Sequence, residues 1–192
     1  MAGRQAQPIT AGMLRHMIAY ARRSSTPDRD IVLVLLSAKA GLRACEMARL
    51  TWPMVIDGHG QIAKILEVHD RIAKKRGGRR IPVHPVLRAA LRRLQRCTEN
   101  MEGPVIVSKR GGTMRPTSLV NWFAVMFSAL GYAGCSSHSG RRTFITAAAR
   151  QLARTGGSLR DVQLLAGHQS IETTQRYIDG DTKIQRRLVA LI

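Results

Sequence analysis

Three short strings of the sequence combine residue types that can bind a phosphate, move a proton and attack phosphorus. They are Gly41-Leu42-Arg43-Ala44-Cys45-Glu46, His138-Ser139-Gly140-Arg141, and Gly167-His168-Gln169-Ser170-Ile171 followed by Tyr177. An arginine presents a planar fork of donors that matches the nonbridging oxygens of a phosphodiester. A histidine exchanges a proton near neutral pH, and a tyrosine hydroxyl can act as a covalent nucleophile. The three strings therefore favour chemistry on a phosphate ester.

The order of these residues resembles the phage integrase or tyrosine recombinase family. The family pattern is an Arg, a Lys, an HxxR pair, a second His and a terminal Tyr, and the resemblance covers residues 10–179. It implies an α+β, mainly α-helical catalytic domain with a small three-stranded antiparallel β-sheet. It also implies a site-specific DNA recombinase of the integrase, excisionase or resolvase type. Such an enzyme cuts and rejoins strands through a covalent 3′-phosphotyrosine, with no metal and no other cofactor.

The residues of this set have distinct predicted roles in cleaving a phosphodiester. Without a metal ion, the reaction needs other positive charge, a nucleophile and an acid for the leaving oxygen. We expect Arg43 and Arg141 to hold the nonbridging oxygens and Tyr177 to attack phosphorus. We expect His138 to accept the tyrosine proton and His168 to donate to a nonbridging oxygen. Because a phosphotyrosine stores the bond energy, the strand can be rejoined without ATP.

A lysine and a glutamate complete the predicted catalytic set. The family places its general-acid lysine on the turn of a β-hairpin, and residues 72–79 look like that turn. Aligning Ile81-Pro82-Val83 with the usual exit strand selects Lys74, although a shift of one residue would select Lys75 instead. Glu46, three residues after Arg43 on a predicted helix, is expected to orient the arginine or histidine cluster. Neighbouring basic residues are expected to contact the DNA backbone: Lys75, Arg76, Arg79 and Arg80.

The composition indicates a duplex nucleic acid as the partner. Lys and Arg number 31 against 12 Asp and Glu, which gives a net charge of +19 and favours a polyanion. Aromatic residues, at 4%, are too few for the stacking platforms of single-strand binders, which favours contact with a duplex through its phosphates. Composition leaves DNA or RNA open, and the family resemblance implies double-stranded DNA. The three cysteines have no CxxC spacing, which disfavours a disulfide framework and a zinc site. No apolar run is long enough to span a membrane, so we expect a cytoplasmic protein without a membrane partner.

Helical periodicity and breaker residues predict how these residues are positioned. Residues 1–9 are expected to be a flexible tail, 10–180 the catalytic domain, and 181–192 a tail helix with an apolar stripe. This tail helix could dock on a neighbouring protomer, as in the family, or pack on its own core, and both readings stay open. The family also implies a homotetramer on DNA. Predicted helices cover residues 10–22, 26–41, 43–50, a stretch from 85, 117–130, 139–154, 158–165 and 171–178, with an antiparallel sheet between 54 and 83.

Other functions remain possible on the same residues. The separate N-terminal helical domain usual in the family is not seen here, so either an excised piece or a naturally minimal enzyme is expected. A type IB topoisomerase would relax supercoils regardless of sequence. A noncatalytic DNA-binding protein of the same fold would have lost its nucleophile or an arginine, yet each member of the set has a match. A ribosomal or RNA-binding protein would explain the charge but not the ordered set.

Overall fold

The structure is a computed structural model that describes residues 6–73, 77–177, 186, 189 and 190. The chain divides into two compact units, Met1–Phe144 and Ile145–Ile192. Within the described residues, every helix is too short or too polar to cross a membrane. The fold is α+β and mainly helical, as the sequence predicts.

A buried helix forms the centre of the first unit. This helix, α2 (Pro27–Lys39), is buried at every position from 29 to 38. It packs against α1 (Ala11–Arg22) on one side and α4 (Pro85–Arg96) on another. Burial on all sides fits its nearly continuous apolar sequence, whereas α4 has apolar residues on one face and arginines around them. The core of this unit is thus built around α2.

Helix boundaries follow capping residues that the sequence displays. Thr10 accepts a hydrogen bond from the backbone N–H of Met13 at the start of α1. Pro27 occupies the first turn of α2, where a missing N–H costs nothing. Gly41 follows α2 with φ of +63°, in the left-handed region that ends many helices. The chain can therefore turn at once into α3 (Ala44–Arg49).

The sheet has two strands in the described part of the chain, so the expected third strand is wrong. Strand β1 (Ile65–Val68) pairs antiparallel with β2 (Arg79–Pro82). Residues before β1 form a short 3-10 turn at Trp52–Met54 and an isolated bridge between Ile56 and Ile62. Between the bridge partners, the Asp57 carboxylate accepts from the backbone N–H groups of residues 59 and 61, which stabilises a tight turn instead of a strand.

Two further helices complete the first unit and lead into the second. Helix α5 (Pro116–Ala129) contacts α3, and α6 (Ser139–Thr155) begins in the first unit and ends in the second.

The described residues of the predicted N-terminal tail, 6–9, are hydrogen-bonded to the rest of the first unit. Gln7 donates its backbone N–H to the Gly134 carbonyl at 3.0 Å, and Ile9 donates to Thr143 Oγ1 at 2.6 Å. Residues 6–9 thus contact the loop before α6 and the first turns of that helix.

The second unit contains two short helices packed on each other after the end of α6. They are α7 (Leu159–Ala166) and α8 (Ile171–Gln175). Gly167 ends α7 with φ of +62°. Helix α8 stops three residues before the predicted end at 178, so Tyr177 lies in the turn that follows the helix. The predicted tail helix at 181–192 lies almost wholly outside the described residues.

Candidate active site

The Arg43 side chain is held at the start of α3 by Glu46. Arg43 is the residue before the helix, and its backbone N–H donates to Glu46 Oε2 at 2.8 Å. Its side-chain Nη1 donates to Glu46 Oε1 at 2.7 Å. The three-residue spacing that the sequence displays therefore brings the two groups into contact, and the contact fixes both the main chain and the side chain of Arg43.

Glu46 is fully buried and is also bound by a second arginine, Arg79 of β2. Arg79 donates from Nη1 to Oε1 at 3.0 Å and from Nη2 to Oε2 at 2.9 Å, a two-pronged ion pair. Burial by itself would raise the pKa of Glu46. The hydrogen bonds and charges of Arg79 and Arg43 outweigh burial and bring this pKa down to about 2, so the carboxylate is ionised at neutral pH.

His138 lies just before α6, and Arg141 lies in its first turn. Arg141 is buried, and its Nη1 donates to the Gly41 carbonyl at 2.7 Å, two residues before Arg43 in the chain. His138 is exposed just ahead of the helix, and its carbonyl accepts from the backbone N–H of Arg142 at 2.9 Å. Gly41 lies close to α6, and a side chain at this position would not fit, because its Cβ would overlap the ring of Phe144. Arg141 of the HxxR pair thus lies beside the turn that leads into α3.

In the second unit, His168 and Tyr177 are in direct contact. Their ring centroids are 5.5 Å apart with planes inclined by 25°, a stacked arrangement. His168 Nδ1 is hydrogen-bonded to the hydroxyl of Thr174, which is fully buried, at 3.0 Å. Gln163 of α7 holds the His168 backbone through its side-chain amide at 3.0 Å. Both the ring and the main chain of His168 are therefore fixed by neighbouring residues.

Of the predicted lysines and DNA-contact residues, the structure describes Arg79 and Arg80. Lys74, Lys75 and Arg76 lie outside the described residues. Arg80 is exposed on the outer face of β2, with Nε at 3.2 Å from Glu67. Arg79 differs from the expectation of a phosphate contact at the surface, because its guanidinium is buried against Glu46.

The sequence contains a signal for the placement of Arg79. Side chains alternate along a strand, so Arg79 shares a face with Ile81, and the burial pattern of β2 shows both of them inside. No comparable pattern in the sequence predicts the contacts of Thr174 and Gln163 with His168, since these contacts depend on how α7 and α8 pack.

Comparisons with known proteins show which family this chain resembles. The phage integrase family matches residues 7–183. A tyrosine recombinase XerC of Mesorhizobium japonicum is 28% identical over 185 residues, which are 92% of this chain and 56% of that protein. This chain thus spans little more than half of that relative.

Solved structures share the fold at low sequence identity. The Tn1549 transposon integrase in complex with a circular intermediate DNA superimposes with a TM-score of 0.76 at 15% identity, covering 100% of this chain and 67% of that one. A lambda integrase tetramer bound to a Holliday junction gives a TM-score of 0.68 at 19% identity, covering 89% and 47%. With the family match across most of its length, this chain belongs to the phage integrase family.

Proposed function

We propose that this chain is the catalytic part of a site-specific DNA recombinase that cuts and rejoins strands through Tyr177. The Tyr177 hydroxyl attacks the scissile phosphorus and forms a 3′-phosphotyrosine, and the strand ending in a 5′ hydroxyl is released. His138 takes the proton of the tyrosine, and Lys74 gives a proton to the leaving 5′ oxygen. Attack by a 5′ hydroxyl on the phosphotyrosine reverses these steps and joins the new strand.

Charge stabilisation in this mechanism comes from the protein alone. Arg43 and Arg141 bind the nonbridging oxygens, and His168 donates a hydrogen bond to one of them. Glu46 keeps Arg43 in place. No metal and no cofactor has a step in the reaction, because the two guanidinium groups supply the positive charge that a cation would bring.

The observation that carries the proposal is the contact between Tyr177 and His168. In this pair, a tyrosine ring and an imidazole ring stack on each other within one short segment of a phage integrase family chain. A tyrosine with a purely structural role is usually buried with its hydroxyl in one hydrogen bond. Tyr177 instead lies in a turn after α8 and is only partly buried.

The test is covalent trapping on duplex DNA that carries a nick just downstream of the scissile phosphate. The short leaving strand diffuses away, so the phosphotyrosine accumulates and is seen as a shifted band on a denaturing gel. We expect the adduct in EDTA with the unchanged chain and none with Tyr177→Phe. Tyr132→Phe is the matched control, since that tyrosine bonds His16 instead and its variant should still form the adduct.

Three results would contradict the proposal. Binding to duplex DNA without any adduct, on substrates that include the ends of the host element, would favour a noncatalytic DNA-binding protein. Cutting that depends on an added metal would contradict the mechanism. Relaxation of any supercoiled plasmid by a monomer would instead favour a topoisomerase.

Double-stranded DNA and further copies of this chain are the proposed partners. Support comes from the integrase solved with DNA and from the lambda integrase tetramer on a Holliday junction. We therefore propose a homotetramer on synapsed DNA. The reaction would serve integration, excision or resolution in the cytoplasm, where such DNA is found.

A further inference from the structure

Arg79 is a buried arginine of the first unit that the proposed chemistry does not use, and it contacts Glu46 of the candidate site. Its side chain is 4% exposed and that of Glu46 is 0% exposed, whereas the Arg43 side chain is 20% exposed. The three groups thus form a row joined through the Glu46 carboxylate, in which Arg43 is the most exposed member and the other two side chains are nearly closed to solvent. A phosphate that reaches this row from solvent meets Arg43 first.

The two arginines bind Glu46 in different ways. Arg79 uses both terminal nitrogens, one on each carboxylate oxygen, and so fixes the plane of the carboxylate. Arg43 uses one side-chain nitrogen, Nη1, together with its backbone N–H. A guanidinium carries several N–H donors in a rigid fork, so a bond through one nitrogen leaves others for a phosphate.

Charge gives Arg79 a second effect on Arg43. Arg43, Glu46 and Arg79 together carry one net positive charge. Without Arg79, the buried carboxylate would have Arg43 as its remaining cation in this row. Because an ion pair is strong where water is excluded, both oxygens would then draw in the Arg43 fork. Donors that should bind phosphate would be taken up by Glu46, and the pair would be neutral.

We propose that Arg79 is a positioning residue, which acts through Glu46 to hold the Arg43 guanidinium in the orientation that receives a nonbridging phosphate oxygen. This inference rests on the proposed function, in which Arg43 binds the scissile phosphate. Gly78, the residue before Arg79, donates its backbone N–H to Asp70 Oδ1 at 2.8 Å and ties the start of β2 to the end of β1. Arg79 therefore approaches Glu46 from a strand that is itself held in place.

The experiment measures single-turnover adduct formation on the nicked duplex with Arg79→Met and Arg79→Lys. Met keeps the apolar stem of the side chain but has no charge and no donors, and Lys keeps the charge but loses the fork. A small misplacement of a catalytic group costs up to roughly 100-fold. We expect the rate at saturating DNA to fall about 10- to 100-fold with Met and less with Lys. The DNA concentration for half-maximal rate should change less than about twofold in both. Arg49→Met is the matched control, since Arg49 is exposed at the end of α3.

A second substrate separates Arg79 from the general acid. A duplex with sulfur in place of the bridging 5′ oxygen has a leaving group that needs no proton. If Arg79 acts through Arg43, the defect of Arg79→Met persists on this substrate. Loss of the defect would overturn the proposal and show that Arg79 serves the hairpin that carries Lys74. An unchanged rate with a weaker DNA affinity would overturn it too, and would make Arg79 a DNA contact.

A substrate-free measurement keeps the inference distinct from the proposed function. The Nε–H signal of Arg43 in ¹⁵N NMR reports how freely its guanidinium rotates. Because the Arg43 fork would be drawn onto both Glu46 oxygens without Arg79, we expect faster rotation in the unchanged chain than in Arg79→Met, with Arg49→Met unchanged. If the unchanged chain forms no adduct, the proposed function fails, while this signal still decides whether Arg79 positions Arg43. Equal rotation in the unchanged chain and Arg79→Met would overturn the proposal.

Discussion

At the scale of single residues, the Glu46 carboxylate links charge to stability. Its pKa is about 2 in the folded chain against an ordinary 4.5, so between these values the unfolded chain binds a proton that the folded chain does not. Stability from the ionised carboxylate is therefore fully present above pH 4.5 and is lost as the pH falls toward 2. At about 1.4 kcal/mol per pKa unit, this part of the free energy of unfolding is about 3 kcal/mol.

Glu46→Gln tests this dependence, because the amide has the same shape and does not titrate. We expect the variant to be less stable than the unchanged chain at pH 6, with the difference shrinking as the pH falls toward 2. Urea unfolding at a series of pH values measures both curves. Asp57→Asn is the control for an exposed carboxylate with a lowered pKa. Parallel curves for Glu46→Gln and the unchanged chain would show that Glu46 has an ordinary pKa.

The sequence predicts individual site residues better than it predicts their partners. Arg43 and Glu46 are three apart on one helix, so local geometry is enough to predict their contact, and the structure confirms it. The contact between Glu46 and Arg79 joins residues 33 apart in the chain, and no local rule gives it. The same holds for the His168 bond to Thr174, since it depends on the turn between α7 and α8. Long-range partners follow from packing, which the sequence does not display directly.

At the scale of elements, Gly140 is a position at which α6 packs closely against α2. A Cβ on Gly140 would lie 2.9 Å from the carbonyl carbon of Ser37 and would overlap the Ser37 hydroxyl. Alanine generally favours a helix over glycine by up to about 1 kcal/mol, but overpacking a core contact costs about 1 to 3 kcal/mol. We expect Gly140→Ala to lose about 1 to 2 kcal/mol of unfolding free energy.

Urea or thermal unfolding measures this loss, and Gly58→Ala serves as the matched control. A Cβ at Gly58 meets nothing within 4 Å, and that residue does not have a positive φ. We expect the unfolding midpoint to fall for Gly140→Ala and to stay within error for Gly58→Ala. Equal midpoints for both variants would mean that α2 and α6 can separate to admit a methyl group at no cost.

Elements differ in how far the sequence can specify them. Helices with capping residues were predicted within one or two residues: α1 after Thr10, α4 from Pro85 and α7 after Ser158. The prediction of a third strand was wrong. The β-prone residues before β1 form a turn, because the Asp57 carboxylate accepts hydrogen bonds from the backbone N–H groups of residues 59 and 61. Strands need a partner from elsewhere in the chain, whereas a helix satisfies its own backbone.

At the scale of the whole molecule, charge is the property that composition predicts most directly. The net charge of +19 is spread over many exposed side chains, among them Arg92, Arg93 and Arg96 on the outer part of α4. Composition thus indicates a polyanionic partner, and the ordered set of candidate site residues indicates the family. Neither can tell which arginines touch DNA and which are structural. Arg79 and Arg80 are neighbours in sequence, but one is buried in an ion pair and the other is exposed.

Salt dependence of DNA binding separates these two kinds of arginine. Each phosphate contact releases a counterion, so log K falls with log salt by about 0.9 per contact on duplex DNA. We expect a steep slope for this chain between about 50 and 200 mM salt, measured by fluorescence anisotropy on a random duplex. Arg80→Gln should reduce the slope by about 1, because its exposed guanidinium is a predicted phosphate contact. Arg49→Gln makes the same change in net charge without a predicted contact, and its slope should match the unchanged chain. If both variants lower the slope equally, the protein's overall charge governs binding and Arg80 has no contact of its own.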